Sequence, residues 1–232
     1  MFPRALREIH QIEVTTYCNL RCHYCPSPKL QRPYEHMRMS VFERALEWCE
    51  HYSSKGTQME LSLTGLGEST LHPHFADMLR MARKALPKQE ILFSTNGLPS
   101  FTEQVAMVCR DFRIGVYVSL HRPEMAGRTV ELCKRYGIIR QVNAAAAVSA
   151  FDWAGQLDWF VSAPKTNCDY LAQGWGVVLV DGRITQCCID AHGKGGIGHV
   201  NDLPGTVWTQ PFDLCNGCHM TIPPTEEVQK YK

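Results

Sequence analysis

The sequence predicts an α/β fold built on a parallel sheet, open or closed into part of a (β/α) barrel. Three observations predict it. Strand and helix signals alternate through the first two thirds of the chain, helix-start signals of the capping-box type recur between them, and the chemically suggestive residues follow strand ends. Ile9–Thr16 reads as the first strand and runs into a cysteine group. Ser40-Val41-Phe42-Glu43 opens a helix to about Ser54, with Phe42, Ala45, Leu46 and Cys49 on one face. Met59–Thr64 reads as a strand ended by a glycine turn, Pro73–Leu86 as a helix and Glu90–Thr95 as the third strand. Ser100-Phe101-Thr102-Glu103 opens a helix to about Arg110, and Ile114–Leu120 is the fourth strand. Arg128–Tyr136 is a helix closed by Gly137, Ile138–Val148 the fifth strand, and a helix near Asp152–Ser162 completes the series. Right-handed crossovers place the loops after the strands on one face, where such folds hold their chemistry.

The character changes after about Pro164, dividing the chain into residues 1–163 and a tail of residues 164–232. Gly174–Val180 meets Arg183-Ile184-Thr185 through Asp181-Gly182, the signal of a type I′ hairpin. The remainder is rich in glycine and loop-like. Such a tail buries little apolar area and calls for a covalent or metal staple.

Composition narrows the function. The 232 residues suffice for one sizeable domain plus a small appendage, and 44% hydrophobic with 20% charged residues is ordinary for a soluble protein. A net charge of +1 offers no basic excess for a nucleic acid. The longest apolar runs, near Ala144–Val148 and Val177–Val180, fall far short of the roughly 20 residues of a membrane span. Met1-Phe2-Pro3-Arg4 shows no apolar signal region, so a cytoplasmic location is expected. Eleven cysteines, an odd number, then argue for reduced thiols rather than a disulfide scaffold. Cys49, Cys109 and Cys133 fall in helical patterns and read as small buried hydrophobes.

Cys18, Cys22 and Cys25 form C-x3-C-x2-C, with Tyr24 before the last cysteine. Three thiolates on one loop can hold three irons of a cubane cluster and leave the fourth open to a chelating ligand. Structural zinc prefers four ligands in C-x2-4-C pairs, so a trio fits it poorly. The spacing, the aromatic and the position after the first strand resemble the radical S-adenosylmethionine (SAM) superfamily. The resemblance implies the fold of that family, a partial (β/α) barrel of the radical SAM type with a small C-terminal hairpin and loop domain. It also implies a 4Fe–4S cluster on Cys18, Cys22 and Cys25, with SAM chelated to the open iron. The family's G-G-E-P loop is matched by Gly65-Leu66-Gly67-Glu68-Ser69, where Gly65 and Gly67 let the backbone approach SAM and Glu68 meets its amino group. Ser69 departs from the usual proline. Asn96, Ser119 and Arg128 lie where relatives place further SAM contacts, and Asn143 could face the pocket. His121 ends the same strand as Ser119, where the family places polar contacts to SAM. Asn96 also reads as a simple turn residue, and His121 more readily as an exposed loop histidine.

Cys168, thirteen residues, Gly182, four residues and Cys187 resemble the opening of the SPASM and twitch extensions of this family. The chain then shows only Cys215-Asn216-Gly217-Cys218, as in the shorter twitch form. The resemblance implies an auxiliary 4Fe–4S cluster on Cys168, Cys187, Cys215 and Cys218. Either Cys187 or Cys188 could serve, and the gap from Gly182 favours Cys187.

Functionally, the resemblance implies reductive cleavage of SAM and hydrogen abstraction by the resulting 5′-deoxyadenosyl radical. The leading expectation is modification of a ribosomally made precursor peptide, by crosslinking, excision or oxidation. A separate leader-peptide-binding protein and a flavodoxin- or ferredoxin-type electron donor are the implied partners. Dehydrogenation of a small polar alcohol such as an aminocyclitol is the alternative, and a non-catalytic zinc module is the alternative from another class.

Overall fold

The computed structural model describes residues 3–144, 153–154, 156–157 and 168–218. Its strands in chain order are β1 (Arg4–Ala5), β2 (Glu8–Ile12), β3 (Glu60–Ser62), β4 (Glu90–Thr95), β5 (Gly115–Leu120), β6 (Ile139–Ala144), β7 (Trp175–Val178), β8 (Arg183–Thr185), β9 (Gly196–His199) and β10 (Trp208–Thr209). Eight of them form one sheet in the order β6-β5-β4-β3-β2-β7-β8-β9, and β1 pairs with β10 as a separate ribbon. Strands β2 to β6 are parallel neighbours, as expected. The tail enters the same sheet, because β7 pairs parallel with β2 on its other side. Strands β8 and β9 then continue antiparallel. The chain is thus a mixed α/β fold around a parallel sheet, a partial β/α barrel.

Alternation along each strand builds the core. Leu61 and Leu63, Ile91 and Phe93, and Val116 and Val118 are fully buried on one face. Against them pack α1 (Met39–Ser54) through Phe42, Ala45 and Trp48, and α2 (Phe75–Ala85) through Phe75, Met78 and Leu79. The helices α3 (Glu103–Asp111) and α4 (Pro123–Arg135) complete that layer. Cys49, Cys109 and Cys133 are buried in it, as expected. The intervening residues, among them Ser62, Ser94, Tyr117 and Ser119, face the opposite, polar side of the sheet.

Four local expectations need correction. The Ser40 capping box does not form: α1 starts at Met39 after an extended Arg38, with no side-chain cap. In α3 the cap is Thr102, whose hydroxyl accepts from the Val105 N–H at 3.3 Å, while the Ser100 hydroxyl is hydrogen-bonded to that of Thr70 at 2.7 Å. Helix α4 begins at Pro123 rather than Arg128, since proline needs no partner for an N–H in the first turn. The hairpin is not type I′. Val178 pairs with Ile184, Leu179 N–H bonds to Arg183 O, and only Gly182 of the Val180-Asp181-Gly182 loop has positive φ, +91°. That is the three-residue loop with a left-handed last residue. It is held by Asp181, whose carboxylate accepts from both the backbone and the side chain of Arg183. The helix expected near Asp152–Ser162 lies largely outside the described residues, as does the fifth strand beyond Ala144.

Candidate active site

The loop after β2 carries Cys18, Cys22 and Cys25 to the C-terminal edge of the sheet. There they line one cleft with the 64–68 loop after β3, residues 94–96 ending β4, and Ser119 and His121 after β5. The cleft measures about 670 Å³ including its mouth, within the usual size of a small-molecule site. Cys18 Sγ accepts from Leu20 N–H at 3.4 Å and from Asn96 Nδ2 at 3.9 Å, and Cys25 Sγ from Ser27 N–H at 3.5 Å. Burial pushes the Cys18 thiol up and the Cys25 thiol to about 11, with neighbouring thiols acting in the same sense. Bare thiolates are therefore disfavoured here, and a bound cation would have to displace the protons.

Among the described residues, no three His, Cys, Asp or Glu side chains gather tightly enough to hold a single metal ion. A cubane distributes its thiolates over separate irons, so thiols spread around a cleft suit it better than they suit mononuclear zinc.

Glu68 is buried at the back of this cleft. Its Oε1 accepts from the Thr70 hydroxyl at 2.6 Å, Thr70 N–H at 3.3 Å and the Thr95 hydroxyl at 2.8 Å, and its Oε2 from Asn96 N–H at 2.7 Å. Burial raises its pKa while these donors oppose the rise. The carboxylate thus locks the loops after β3 and β4 together. Gly67 is needed by the chain itself: a Cβ there would lie 2.3 Å from the Thr15 carbonyl oxygen and 2.6 Å from that of Tyr17. Close approach is the right reason for this glycine, but the approaching group is the backbone after β2.

Asn96 is more than a turn residue, since its amide donates to Asn19 Oδ1 at 2.7 Å and reaches Cys18. Ser119 lines the cleft. Arg128 stands exposed on α4 outside the cleft lining, and Asn143 pairs in register with Ser119 on β6 without lining it. His121 is not an exposed loop histidine. It is half-buried in the cleft with Nδ1 2.7 Å from the Tyr24 hydroxyl, and burial, aided by Arg122, lowers its pKa. Trp153, which also lines the cleft, donates to the Tyr24 carbonyl at 3.0 Å.

Cys168, Cys187, Cys215 and Cys218 line a second, narrower cavity of about 260 Å³ with apolar Leu171, Phe212 and Leu214. Cys168 precedes α5 (Asp169–Gln173), Cys187 follows β8, and the last two sit in and just after the turn Asp213–Gly217. Cys188 does not line this cavity. With Cys187 it lines a third one between the two cysteine sites, and it is hydrogen-bonded to Tyr170. Strand alternation does not separate the two neighbours. Strand β8 ends at Thr185, and both cysteines lie in a turn closed by Asp190 N–H to Cys187 O at 3.3 Å.

Residues 12–146 match the Radical SAM superfamily. The chain belongs to the radical SAM superfamily. It is an enzyme of that superfamily, whose members use a 4Fe–4S cluster and SAM, and the partial barrel with thiols at the C-terminal end of β2 is the fold they share. The chain matches no curated protein. Among solved structures, BtrN in complex with AdoMet and 2-DOIA is similar at a TM-score of 0.68 and 19% identity, over 84% of this chain and 78% of that one. BtrN in an open conformation is similar at 0.59 and 20% identity, over 85% and 77%. Streptococcus suis SuiB bound to S-adenosylmethionine aligns at 0.46 and 13% identity, over 78% and 60%. Among the described residues no helix is long and apolar enough to cross a membrane.

Sequence reasoning missed Glu13 and Arg32, which form a buried bidentate pair at 2.6 and 2.7 Å. The signal was present: Glu13 stands between Ile12 and Val14, both fully buried, just after β2, where a lone carboxylate requires a partner.

Proposed function

We propose that this enzyme cleaves SAM reductively at the Cys18–Cys22–Cys25 cleft and abstracts hydrogen from an unactivated C–H bond of a small polar alcohol. The observation that carries the proposal is the convergence of those three thiols and the 64–68 loop on one cleft. When bound, the cluster supplies one electron to SAM and so generates the 5′-deoxyadenosyl radical. The chain's own residues hold and orient. Cys18, Cys22 and Cys25 would hold the cluster, the backbone of Gly65 to Glu68 would receive the methionyl end of SAM, and Asn96 and Ser119 offer polar groups on the facing wall. Tyr24, fixed by His121 and Trp153, closes the side of the cleft. Cys168, Cys187, Cys215 and Cys218 would hold an auxiliary cluster in a twitch-type tail spanning residues 164–232. Four protein ligands leave it no open iron, which suits electron transfer or anchoring.

The small-alcohol reading is supported by the likeness to BtrN, whose complex contains AdoMet and the ligand 2-DOIA, over most of both chains. Modification of a precursor peptide, the leading expectation from the family resemblance, forms the second arm of the test. Anaerobically reconstituted enzyme with dithionite should yield 5′-deoxyadenosine, and replacing Cys18, Cys22 and Cys25 together with Ala should abolish it. A triple variant that still cleaves SAM would refute the proposal. For the substrate, aminocyclitols should raise 5′-deoxyadenosine formation with formation of a ketone two hydrogens lighter, one hydrogen atom leaving on 5′-deoxyadenosine, the other as a proton, and the remaining electron passing to the oxidised auxiliary cluster. Stimulation by a precursor peptide alone would move the assignment to the peptide class.

A further inference from the structure

We propose that Glu13 and Arg32 are positioning residues for SAM: their buried ion pair fixes the Gly65-Leu66-Gly67 loop in its ligand-receiving shape. The inference rests on the reading that this loop receives SAM. The pair is almost fully enclosed, with side-chain exposures of 2% for Glu13 and 5% for Arg32. Each carboxylate oxygen takes one bond from the guanidinium and one from a backbone N–H. Oε1 accepts from Leu66 N–H at 3.1 Å and Oε2 from Val180 N–H at 3.3 Å. On the other side, Arg32 Nε donates to Ala191 O at 2.7 Å. One ion pair therefore joins the end of β2, the cysteine loop, the SAM loop, the β7–β8 turn and the segment that follows Cys187. The Glu13 stem also lies against the SAM loop, since a Cβ on Gly65 would come within 2.3 Å of Glu13 Cγ.

Stability alone is a poor explanation of such a pair. The cost of removing both charges from water largely offsets their attraction, and apolar side chains of similar size commonly serve the fold as well. What apolar side chains cannot supply is direction. A planar fork on a carboxylate sets angles, and the carboxylate passes that orientation to the Leu66 amide between the two glycines. A glycine loop is conformationally free, so a ligand that needs one shape of it gains affinity when that shape is already held.

The test separates positioning from support of the fold. The double variant Glu13→Met with Arg32→Met removes both charges together, and Glu13→Gln keeps the shape but weakens the acceptor. Both are reconstituted anaerobically beside the wild type. The SAM dissociation constant is read by equilibrium dialysis, with iron content and melting temperature measured on the same samples. The double variant should load iron and melt close to the wild type, yet bind SAM about tenfold or more weakly, the usual scale for lost supporting contacts. The Gln variant should weaken binding in the same direction. Wild-type affinity in either folded, iron-loaded variant would overturn the proposal. A wild-type enzyme that binds no SAM would instead remove the reading beneath it.

Discussion

The two cysteine regions are built on opposite principles. The first is an open cleft framed by the loops after four consecutive parallel strands, and its thiols share it with hydroxyls, amides and a carboxylate. The second is a narrower apolar cavity whose four thiols come from three segments of the tail. Three thiols in a polar, accessible cleft suit a centre that must accept a ligand. Four thiols in a small apolar cavity suit a centre that completes its own coordination and ties the tail together. Through Val178, Val180, Ile184, Val200 and Val207 the tail shares the main core, whereas beside the second cavity the described residues form a small separate cluster of Ala154, Ile189 and Cys218.

The contrast can be broken or sharpened by substitution. After the abolition of SAM cleavage expected for the Cys18, Cys22 and Cys25 triple variant, the largest effect concerns Cys187. Cys187→Ala should lose auxiliary iron and labilise the tail to proteolysis, whereas Cys188→Ala should keep both clusters. The reverse pattern in iron analysis would exchange the two assignments. A smaller effect is expected at Gly67. Its Cβ would meet backbone oxygens that cannot swing away, so Gly67→Ala should destabilise by about 1–3 kcal/mol and weaken SAM binding. Urea midpoint and SAM affinity both equal to wild type would show that the loop tolerates a side chain.

The smallest effect is in pH. Burial raises Cys25 to about 11 and Cys133 to about 12, against an ordinary value of 9.0. The unfolded chain ionises first, so the metal-free protein should be fully stable below about pH 9 and lose stability as pH rises towards 11. A urea midpoint that is unchanged from pH 8 to pH 10.5 would contradict this.

Much of this was legible in the sequence, and the failures share a cause. The succession of strands and helices around a parallel sheet was readable because alternation is a local signal. The capping boxes failed because the S-x-x-E pattern at Ser40 and Ser100 does not specify where tertiary packing starts a helix. The role of His121 was missed because its partner, Tyr24, is 97 residues away. Glu68 and Gly67 line the cleft, and both also serve contacts within the chain that their loop pattern does not reveal. The Glu13 carboxylate called for a partner, but that the partner is Arg32, 19 residues on, is set by tertiary contact rather than by local pattern.

Iron and acid-labile sulfide, counted on the anaerobically reconstituted wild-type enzyme, test the central contrast most directly. Two cubanes, one per region, predict about eight of each per chain. A count near four would mean that the tail holds no cluster and would contradict the account of the second cavity.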